Sequence, residues 1–335
     1  MPEDRFRVVV LDDYERFCAS VPAYEEAAGL ADISVVERKL TTDEEWSAAV
    51  GDAHAVVLMR ERSAFREREF ALAPSLRFIS QIGRGIPHLD LAEATRRGIV
   101  VSCTPNDSGA STVELTWALL LALARQIPSV GQGMRDGAWP PAVGMLLEGR
   151  TLGVIGLGRI GTKVARIARA FDMSVVAAGK TLTDERAAEA GARRVSLDTL
   201  LEESDIVSVH SRLNAETKGL IGRPELERMK PDALLINTAR GPIISEEALI
   251  ESLRQGHPGG VALDVYDEEP LPADHPLRGF DNVILASHRG YAVDRILHQR
   301  YQAAFTNVIR FIEGAPVDVI NPEAVSPSPS GRGSG

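Results

Sequence analysis

The chain has 335 residues, with 37 Lys and Arg against 47 Asp and Glu, a formal net charge of −10 and 44% hydrophobic residues. That length suits about two domains, and the composition is typical of a globular protein rather than a disordered or fibrous one. The acidic balance argues against a nucleic-acid-binding protein, and the two cysteines, Cys18 and Cys103, are too few for a disulfide framework and favour the reducing cytoplasm.

Short β-branched runs alternate with amphipathic stretches through the first third of the chain, which predicts βαβ units and a parallel sheet. The N-terminal residues are mixed in charge and lack the basic-then-apolar layout of a signal peptide. Helices are predicted over Asp43–Val50 and Leu89–Arg97, and Gly98 is a suitable residue to end the second of them. The predicted strands are Arg7–Leu11, Ile33–Val36, Ala55–Met59, Leu76–Ser80 and Ile99–Val101.

A long apolar segment, Ser108–Ile127, follows this series and is predicted to form one helix that Pro128 closes. A helix this apolar must be buried, and its place between two series of strands suggests a crossing between domains. Its longest apolar run, residues 117–124, falls far short of the ~20 residues that a membrane span needs.

A second series of strands and helices starts at Thr151 and again predicts a parallel sheet. Ser196 is placed to cap a helix over Leu197–Glu203, and Ser245 precedes two glutamates in a first turn, where the helix dipole favours carboxylates. The predicted strands are Thr151–Ile155, Ser174–Ala178, Ile206–His210, Ala233–Asn237, Val261–Asp264 and Val283–Ala286.

The C-terminal part is predicted to contain one more long helix, Ala292–Glu313. Because it follows the last strand of the second series, we expect it to return the chain to the first domain. Residues 323–335, most of them Ser, Pro and Gly, are predicted to form a disordered tail, since they cannot bury enough apolar surface to fold.

The strand Thr151–Ile155 runs into the sequence Gly156-Leu157-Gly158-Arg159-Ile160-Gly161, and apolar residues follow it at helical spacing. In this strand–turn–helix context the glycine motif predicts a dinucleotide-binding turn, although a glycine-rich turn without a ligand is the alternative. The first glycine permits the tight turn, the second allows a pyrophosphate to approach, and the third allows close helix–strand packing. The free N–H groups at the start of the helix, near Arg159 and Ile160, would then bind the phosphates.

The choice between NAD and NADP depends on the end of the second strand, where an acidic residue is expected to bind the ribose 2′-hydroxyl about 20 residues after the motif. Gly179 stands there, Lys180 and Thr181 follow it, and the next carboxylate is Asp184. Lys180 and Thr181 could bind a 2′-phosphate, or Lys180 could be an ordinary surface lysine. The sequence predicts a nicotinamide dinucleotide and leaves NAD and NADP open.

Three residues, Arg240, Glu269 and His288, follow three successive predicted strands of the second series. Singly, each could be a surface charge or a loop histidine. If the strands are parallel, however, all three lie at one sheet edge, and ligands of open α/β sheets bind outside the carboxyl ends of the strands.

Interconversion of a 2-hydroxy acid and a 2-oxo acid moves a hydride and a proton, and these three residue types suit that chemistry. Histidine commonly transfers a proton near neutral pH, and a neighbouring carboxylate favours its charged form. Arginine can bind a substrate carboxylate through its planar fork and polarise the carbonyl. We therefore predict an oxidoreductase in which His288 is the general acid/base, Glu269 is its partner and Arg240 orients the substrate.

The sequence resembles the D-isomer-specific 2-hydroxyacid dehydrogenase family, in order from about Val8 to Pro322. The resemblance implies two doubly wound parallel-sheet α/β domains with an interdomain cleft. A flavodoxin-like substrate domain would comprise residues 1–105 and 290–322, and a Rossmann dinucleotide-binding domain residues 106–289. The matching segments are the glycine motif, Met229-Lys230-Pro231 through Asn237-Thr238-Ala239-Arg240-Gly241, Leu263-Asp264-Val265-Tyr266 through Glu269-Pro270, and His288-Arg289-Gly290.

The resemblance also implies roles for residues around the catalytic three. Asp264 would hold the nicotinamide carboxamide. In the loop Gly83-Arg84-Gly85-Ile86, the backbone N–H groups of Arg84, Gly85 and Ile86 would bind the substrate carboxylate, although an ordinary turn is the alternative. The remaining cofactor contacts would be Thr238 and Ala239 in the nicotinamide pocket, Gly179 and Lys180 at the ribose, and His210, Arg212 and Thr217 along the adenosine side.

Three positions depart from the family pattern. Most NAD-using members carry an acidic residue where Gly179 stands, so the resemblance slightly favours NAD without excluding NADP. Ser287 replaces the usual proline before the histidine, and Thr112-Val113-Glu114-Leu115 is a variant helix start. Glu269 argues against the formate dehydrogenase branch, which has glutamine there. Cys103 has no base beside it in sequence, and we interpret it as structural.

The predicted partners are a small 2-oxo or 2-hydroxy acid and a second copy of the chain, without metal, membrane or nucleic acid. In the implied homodimer the long interdomain helix makes much of the contact, through tryptophan and leucine exposed on one face of Thr112–Ala124. The substrate is open among glyoxylate, hydroxypyruvate and larger 2-oxo acids. The alternative function is a dinucleotide-sensing, corepressor-like protein of the same fold, since that branch keeps the same three residues.

Overall fold

The computed structural model describes residues 5–105 and 107–325. The chain divides into two compact units, one formed by the sequence up to Ser108 together with that from Ala292 onward, and the other by Gly109–Tyr291. Of the predicted tail, residues 326–335 lie outside the described residues. Its first residues are ordered: Pro322–Ala324 form a 3₁₀ turn in which Ala324 is buried, so the folded chain extends past the predicted start of the tail.

The secondary-structure elements are numbered here in chain order. Within the described residues the strands are β1 (Phe6–Leu11), β2 (Ala31–Val35), β3 (Ala55–Met59), β4 (Phe78–Ile82), β5 (Val100–Cys103), β6 (Thr151–Ile155), β7 (Ser174–Ala178), β8 (Arg193–Arg194), β9 (Ile206–Val209), β10 (Leu234–Asn237), β11 (Gly260–Leu263) and β12 (Val283–Leu285). The helices are α1 (Pro22–Leu30), α2 (Asp43–Val50), α3 (Glu67–Leu72), α4 (Leu91–Arg96), α5 (Ala110–Ala124), α6 (Ile127–Arg135), α7 (Arg159–Ala170), α8 (Asp184–Glu189), α9 (Leu197–Glu203), α10 (Arg223–Arg228), α11 (Glu246–Arg254) and α12 (Asp294–Ile312).

Each unit contains one parallel sheet. The first sheet has the order β2-β1-β3-β4-β5, which is the flavodoxin-like order, and the second has the order β12-β11-β10-β9-β6-β7-β8. When this sheet is read from its β8 edge and β6 is counted as strand 1, the order is 3-2-1-4-5-6-7. That is the Rossmann order with one further strand at its edge. The predicted fold class is confirmed, and in such sheets ligands bind outside the carboxyl ends of the strands.

The elements form for local reasons that the sequence carries. All five residues of β3 are buried, as expected for an apolar strand in the middle of a parallel sheet. Thr42 and Glu45 close a capping box at the start of α2. The C-terminal helix α12 lies in the first unit, where the Ser80 hydroxyl donates to the Ala304 carbonyl (2.9 Å) and the Tyr301 hydroxyl donates to Asp13 Oδ1 (2.6 Å).

Most of the segment predicted as one helix, Ser108–Ile127, forms α5, but the prediction that Pro128 closes this helix is wrong. α5 ends at Ala124, Gln126 adopts a φ of +52°, and α6 begins at Ile127 with Pro128 in its first turn. Proline fits there because the N–H groups of a first turn have no acceptor within the helix. No single helix of the described chain is long and apolar enough to cross a membrane, although α5 and α6, bent by 62° at their break, pass that test together.

Candidate active site

The three residues singled out in the sequence follow neighbouring parallel strands of the second sheet. β10 pairs with β11 and β11 with β12, in a register that aligns Asn237 with Leu263 and Leu263 with Leu285. Arg240, Glu269 and His288 each follow one of these strands, so all three belong to loops at the carboxyl edge of this sheet.

His288 and Glu269 are joined by a short hydrogen bond, with 2.6 Å between His288 Nδ1 and Glu269 Oε2. The other carboxylate oxygen of Glu269 accepts from the backbone N–H of Tyr266 (3.0 Å). Because an ionised carboxylate can only accept, the proton of this pair is on His288 Nδ1, and Nε2 is left for a ligand. His288 has a φ of +53°, and its ring meets that of Tyr291 edge-on, with 6.1 Å between centroids.

The charge state of Glu269 follows from its surroundings. Burial alone would raise the pKa of its carboxyl, but the hydrogen bond and charge of His288, the N–H of Tyr266 and the charge of Arg240 together lower the pKa. Arg240 is therefore close enough to act on this carboxylate. The Arg240 guanidinium also donates to the Ala239 carbonyl (2.7 Å).

Asn237, the last residue of β10, holds the loop that carries Arg240. Its side-chain amide donates to the Arg240 carbonyl (2.9 Å), and its side-chain oxygen accepts from the Ala239 N–H (3.0 Å). Thr238, which lies between Asn237 and Ala239 in the sequence, is buried, and its hydroxyl lies 2.8 Å from that of Thr116 on α5. The predicted nicotinamide-side residues Thr238 and Ala239 thus lie in a loop fixed at both ends.

Asp264, directly after β11, holds the loop that carries His288. Its Oδ1 accepts from the Arg289 N–H (2.6 Å) and its Oδ2 from the Gly290 N–H (2.9 Å). Burial is the largest influence on this carboxyl and raises its pKa, while the two N–H groups and the charge of His288 act in the opposite direction. Asp264 was predicted from the family resemblance to hold a carboxamide; in the structure both its oxygens already position the histidine loop.

The glycine turn fits a dinucleotide phosphate. Gly156 has a φ of +94°, and a Cβ there would lie 2.7 Å from the Ser211 nitrogen, while a Cβ at Gly161 would lie 2.3 Å from the Gly156 carbonyl oxygen. At Gly158, where α7 begins, a Cβ would meet nothing within 4 Å. The first and third glycines are therefore required by the protein's own packing, whereas the second leaves open space at the helix N-terminus, where a phosphate binds.

The end of β7 lies beside this turn, since the Gly156 N–H donates to the Ala178 carbonyl (2.9 Å). Gly179 and Lys180 are exposed there, and Lys180 Nζ lies 2.5 Å from Glu216 Oε1. Arg186, which the sequence reasoning missed, donates from α8 to the carbonyls of Thr181 (3.0 Å) and Leu157 (3.3 Å). No sequence pattern marks such carbonyl contacts, although an arginine early in the helix that follows a strand end without a carboxylate is a usable signal.

The three residues predicted along the adenosine side lie in and after the loop that follows β9. His210 is 2.9 Å from the Ser208 hydroxyl through Nε2, and burial lowers the pKa of His210 to about 4. Thr217 donates to the Arg212 carbonyl (2.6 Å) and accepts from the Asn214 N–H (2.9 Å), so its hydroxyl closes a local turn. Arg212 is exposed.

The predicted substrate loop of the first unit follows β4. Gly83 has a φ of +88°, and its N–H donates to the Thr104 hydroxyl (2.8 Å). Within residues 5–105 and 107–325, the backbone N–H groups of Arg84, Gly85 and Ile86 donate no hydrogen bond, as an anion-binding loop requires. Cys103, at the end of β5, is buried and its pKa is raised to about 11 by that burial, which agrees with an inert side chain.

Two further residues escaped the sequence reasoning. The Tyr266 hydroxyl donates to the Ala286 carbonyl (2.7 Å) and lies 3.2 Å from the Leu263 carbonyl, and so links the ends of β11 and β12. Tyr291 packs against His288, as described above. No group of three or more His, Cys, Asp or Glu side chains in the described part of the chain could hold a metal ion.

Comparison with known proteins places this site in a family context. A sequence profile described as the D-isomer specific 2-hydroxyacid dehydrogenase, NAD binding domain, matches residues 117–290. The chain is 41% identical over 263 residues to a glyoxylate reductase of Aeropyrum pernix, which covers 76% of this chain and 78% of that one. It is 35% identical to a D-3-phosphoglycerate dehydrogenase of Archaeoglobus fulgidus, over 82% of this chain and 53% of that one. The crystal structure of a phosphoglycerate oxidoreductase from Vibrio cholerae matches with a TM-score of 0.87 at 32% identity, covering 92% of this chain and 100% of that one.

Proposed function

The chain belongs to the D-isomer specific 2-hydroxyacid dehydrogenase family, and we propose that it interconverts a 2-oxo acid and its D-2-hydroxy acid with a nicotinamide cofactor. The observation that carries the proposal is the 2.6 Å hydrogen bond between His288 Nδ1 and Glu269 Oε2, at a sheet edge that also carries Arg240. The open space at Gly158, at the start of α7, supports binding of the dinucleotide pyrophosphate by the same unit.

His288 is the proposed general acid/base. When bound, the cofactor supplies or accepts the hydride. With Nδ1 held by Glu269, Nε2 is the atom that gives a proton to the carbonyl oxygen in reduction and removes it from the hydroxyl in oxidation. The ionised Glu269 fixes the ring and stabilises its positive charge, because hydrogen bonds between ionised groups are stronger than neutral ones.

Arg240 is the proposed substrate-binding cation. Its guanidinium can donate two parallel hydrogen bonds to a carboxylate, which fixes the 2-oxo acid in one orientation. The loop of Arg84, Gly85 and Ile86 is proposed to bind a substrate carboxylate through its unpaired N–H groups. The cofactor contacts are proposed to include Thr238 and Ala239 at the nicotinamide and Gly156, Gly158 and Gly161 at the pyrophosphate.

The substrate is proposed to be a small 2-oxo acid. Relatives of the chain are named for glyoxylate and for 3-phosphoglycerate, so the panel to test includes glyoxylate, hydroxypyruvate and larger 2-oxo acids, together with 3-phosphoglycerate in the oxidative direction. Turnover is measured by the absorbance of the reduced nicotinamide, with NADH and NADPH offered separately.

The test of the proposed catalytic role compares His288→Asn with His298→Asn. His298 is exposed on α12, in the other unit, and serves as the matched control. We expect His288→Asn to lose at least about 10²-fold in kcat, within the range typical of general acid–base catalysis, while cofactor binding measured by fluorescence is kept. Unchanged turnover of this variant would refute the role of His288.

We also propose a homodimer. The resemblance placed its contact on tryptophan and leucine exposed along Thr112–Ala124, but Trp117, Leu119 and Leu120 are buried within their own unit. The exposed apolar side chains lie further along the chain, and a stretch this apolar is typical of an interaction surface. They are Ile127, Met134, Trp139, Val143 and Leu146.

A further inference from the structure

We propose that the cofactor is the 2′-phosphorylated dinucleotide, NADP(H), and that Arg186 and Lys180 bind its 2′-phosphate. The inference rests on the proposed function, because it specifies which nicotinamide dinucleotide the second unit binds. The residues that support it lie at and after the end of β7, and none of them belongs to the loops of Arg240, Glu269 and His288.

The end of β7 is where the adenosine ribose of a dinucleotide must lie. Ile155 of β6 pairs with Ala178 of β7, and the Gly156 N–H donates to the Ala178 carbonyl (2.9 Å). The residue after Ala178 therefore adjoins the phosphate-binding turn. In dinucleotide-binding sheets this position carries the group that distinguishes a ribose 2′-hydroxyl from a 2′-phosphate.

No carboxylate occupies this position, and packing does not explain its absence. A Cβ built on Gly179 would meet only Leu182 Cβ, at 3.6 Å, which is an ordinary contact. A side chain could therefore begin at residue 179, where an aspartate is the residue expected to bind a ribose hydroxyl. Without it, a 2′-phosphate meets no repulsion from a carboxylate at residue 179.

Arg186 supplies a fixed positive charge at the same place. Its Nη1 donates to the Thr181 carbonyl (3.0 Å) and its Nη2 to the Leu157 carbonyl (3.3 Å), so the guanidinium spans from the strand end to the glycine turn. Both acceptors are neutral, and within the described residues no carboxylate forms an ion pair with Arg186. A guanidinium has five N–H donors, so others remain for a phosphate after these two contacts.

Lys180 supplies a second charge, from the strand end itself. Its ion pair with Glu216 joins side chains that are 75% and 61% exposed. Pairs this exposed contribute little to stability, so the ammonium group can exchange Glu216 for a phosphate. The nearby carboxylate of Asp184 is 3.5 Å from Arg194 and does not form an ion pair with Lys180 or Arg186.

The test measures the dissociation constants of NADPH and NADH by nicotinamide fluorescence, for the full chain and for single variants. We expect the unchanged protein to bind NADPH at least about tenfold more tightly, as for a phosphate bound by charged donors. Arg186→Gln and Lys180→Gln should each weaken NADPH binding and leave NADH binding unchanged, while Gly179→Asp should reverse the preference. The control Arg169→Gln removes the same charge at the far end of α7, about 16 Å along the helix axis from Gly158.

Arg186→Gln could also loosen the glycine turn through its lost contact with Leu157. That effect would weaken NADPH and NADH binding equally, and Arg186→Lys, which keeps the charge, should then show the same loss. Such a result, or a preference of the unchanged protein for NADH, would overturn the inference while leaving the proposed function in place. Binding of neither dinucleotide would instead refute the proposed function.

Discussion

Replacement of Glu269 by glutamine is the sharpest test of the proposed site, because it changes one charge and almost no volume. Glu269 Oε1 accepts from the Tyr266 N–H and Oε2 lies 2.6 Å from His288 Nδ1. In Glu269→Gln the side-chain oxygen can keep the Tyr266 contact, which turns the amide NH₂ toward His288. His288 Nδ1 must then accept, so the ring proton moves to Nε2 and the charged imidazolium loses its partner.

The expected size of the effect follows from the hydrogen bond that is lost. A hydrogen bond to a charged group contributes about 1.5–3 kcal/mol, which corresponds to a factor of about 10 to 150 in rate. The wrong tautomer adds to this loss in oxidation, where Nε2 must be free to take a proton. We therefore expect kcat/KM to fall about 10²-fold in reduction and further in oxidation.

The assay is steady-state turnover of the best substrate in both directions, with the cofactor dissociation constant measured beside it. Glu268→Gln is the matched control, since Glu268 is an exposed neighbour with the same charge. The effects of replacing Glu269 and His288 should also be coupled. In a His288→Asn background, Glu269→Gln should have almost no further effect on kcat/KM. A kcat/KM of Glu269→Gln close to that of Glu268→Gln would refute the assigned partnership.

Three further predictions follow from the described contacts. Arg240→Lys should lower kcat/KM about 10²-fold through loss of the bidentate contact while the cofactor dissociation constant is unchanged, as steady-state kinetics and fluorescence would show. Burial lowers the pKa of His88 to about 4 from 6.5, so the unfolded chain binds the proton first as pH falls. The free energy of unfolding, measured by urea titration, should therefore drop by about 2 kcal/mol from pH 7 to pH 5 through this group. His88→Gln should remove that contribution. Joint replacement of the exposed Trp139 and Leu146 by serine should convert a sedimenting dimer to a folded monomer, whereas a dimer that persists would place the interface elsewhere.

The sequence predicted the placement of Arg240, Glu269 and His288 because two simple rules apply to it. Apolar runs of strand length fixed where each strand ends, and parallel pairing puts the carboxyl ends of neighbouring strands at one edge. The pairing of His288 with Glu269 then needed only loops of suitable length. Family resemblance added the roles, which the contacts now support.

Other features could not be predicted, for different physical reasons. Pro128 breaks a helix interior but fits a first turn, and the sequence alone does not say on which side of the break it lies. Arg186 acts through two backbone carbonyls, which every residue possesses, so no residue pattern announces the contact. β8 pairs with β7 through only Arg193 and Arg194, too short a strand to show any periodicity.

Asn237 and Asp264 give the loops of Arg240 and His288 the same physical support. Each stands where a strand of the second sheet ends, is almost fully buried, and uses its side chain to bind backbone groups of a loop: Asn237 the loop of Arg240, and Asp264 the loop of His288. Buried polar groups are costly unless they are hydrogen-bonded, so these contacts hold the loops in one conformation. For His288 this support matters most, because its φ of +53° is a conformation that a non-glycine residue adopts only under constraint. The carboxylate of Asp264 thus maintains the backbone geometry in which the histidine ring reaches Glu269, and the protein's own contacts hold the proposed catalytic pair in place.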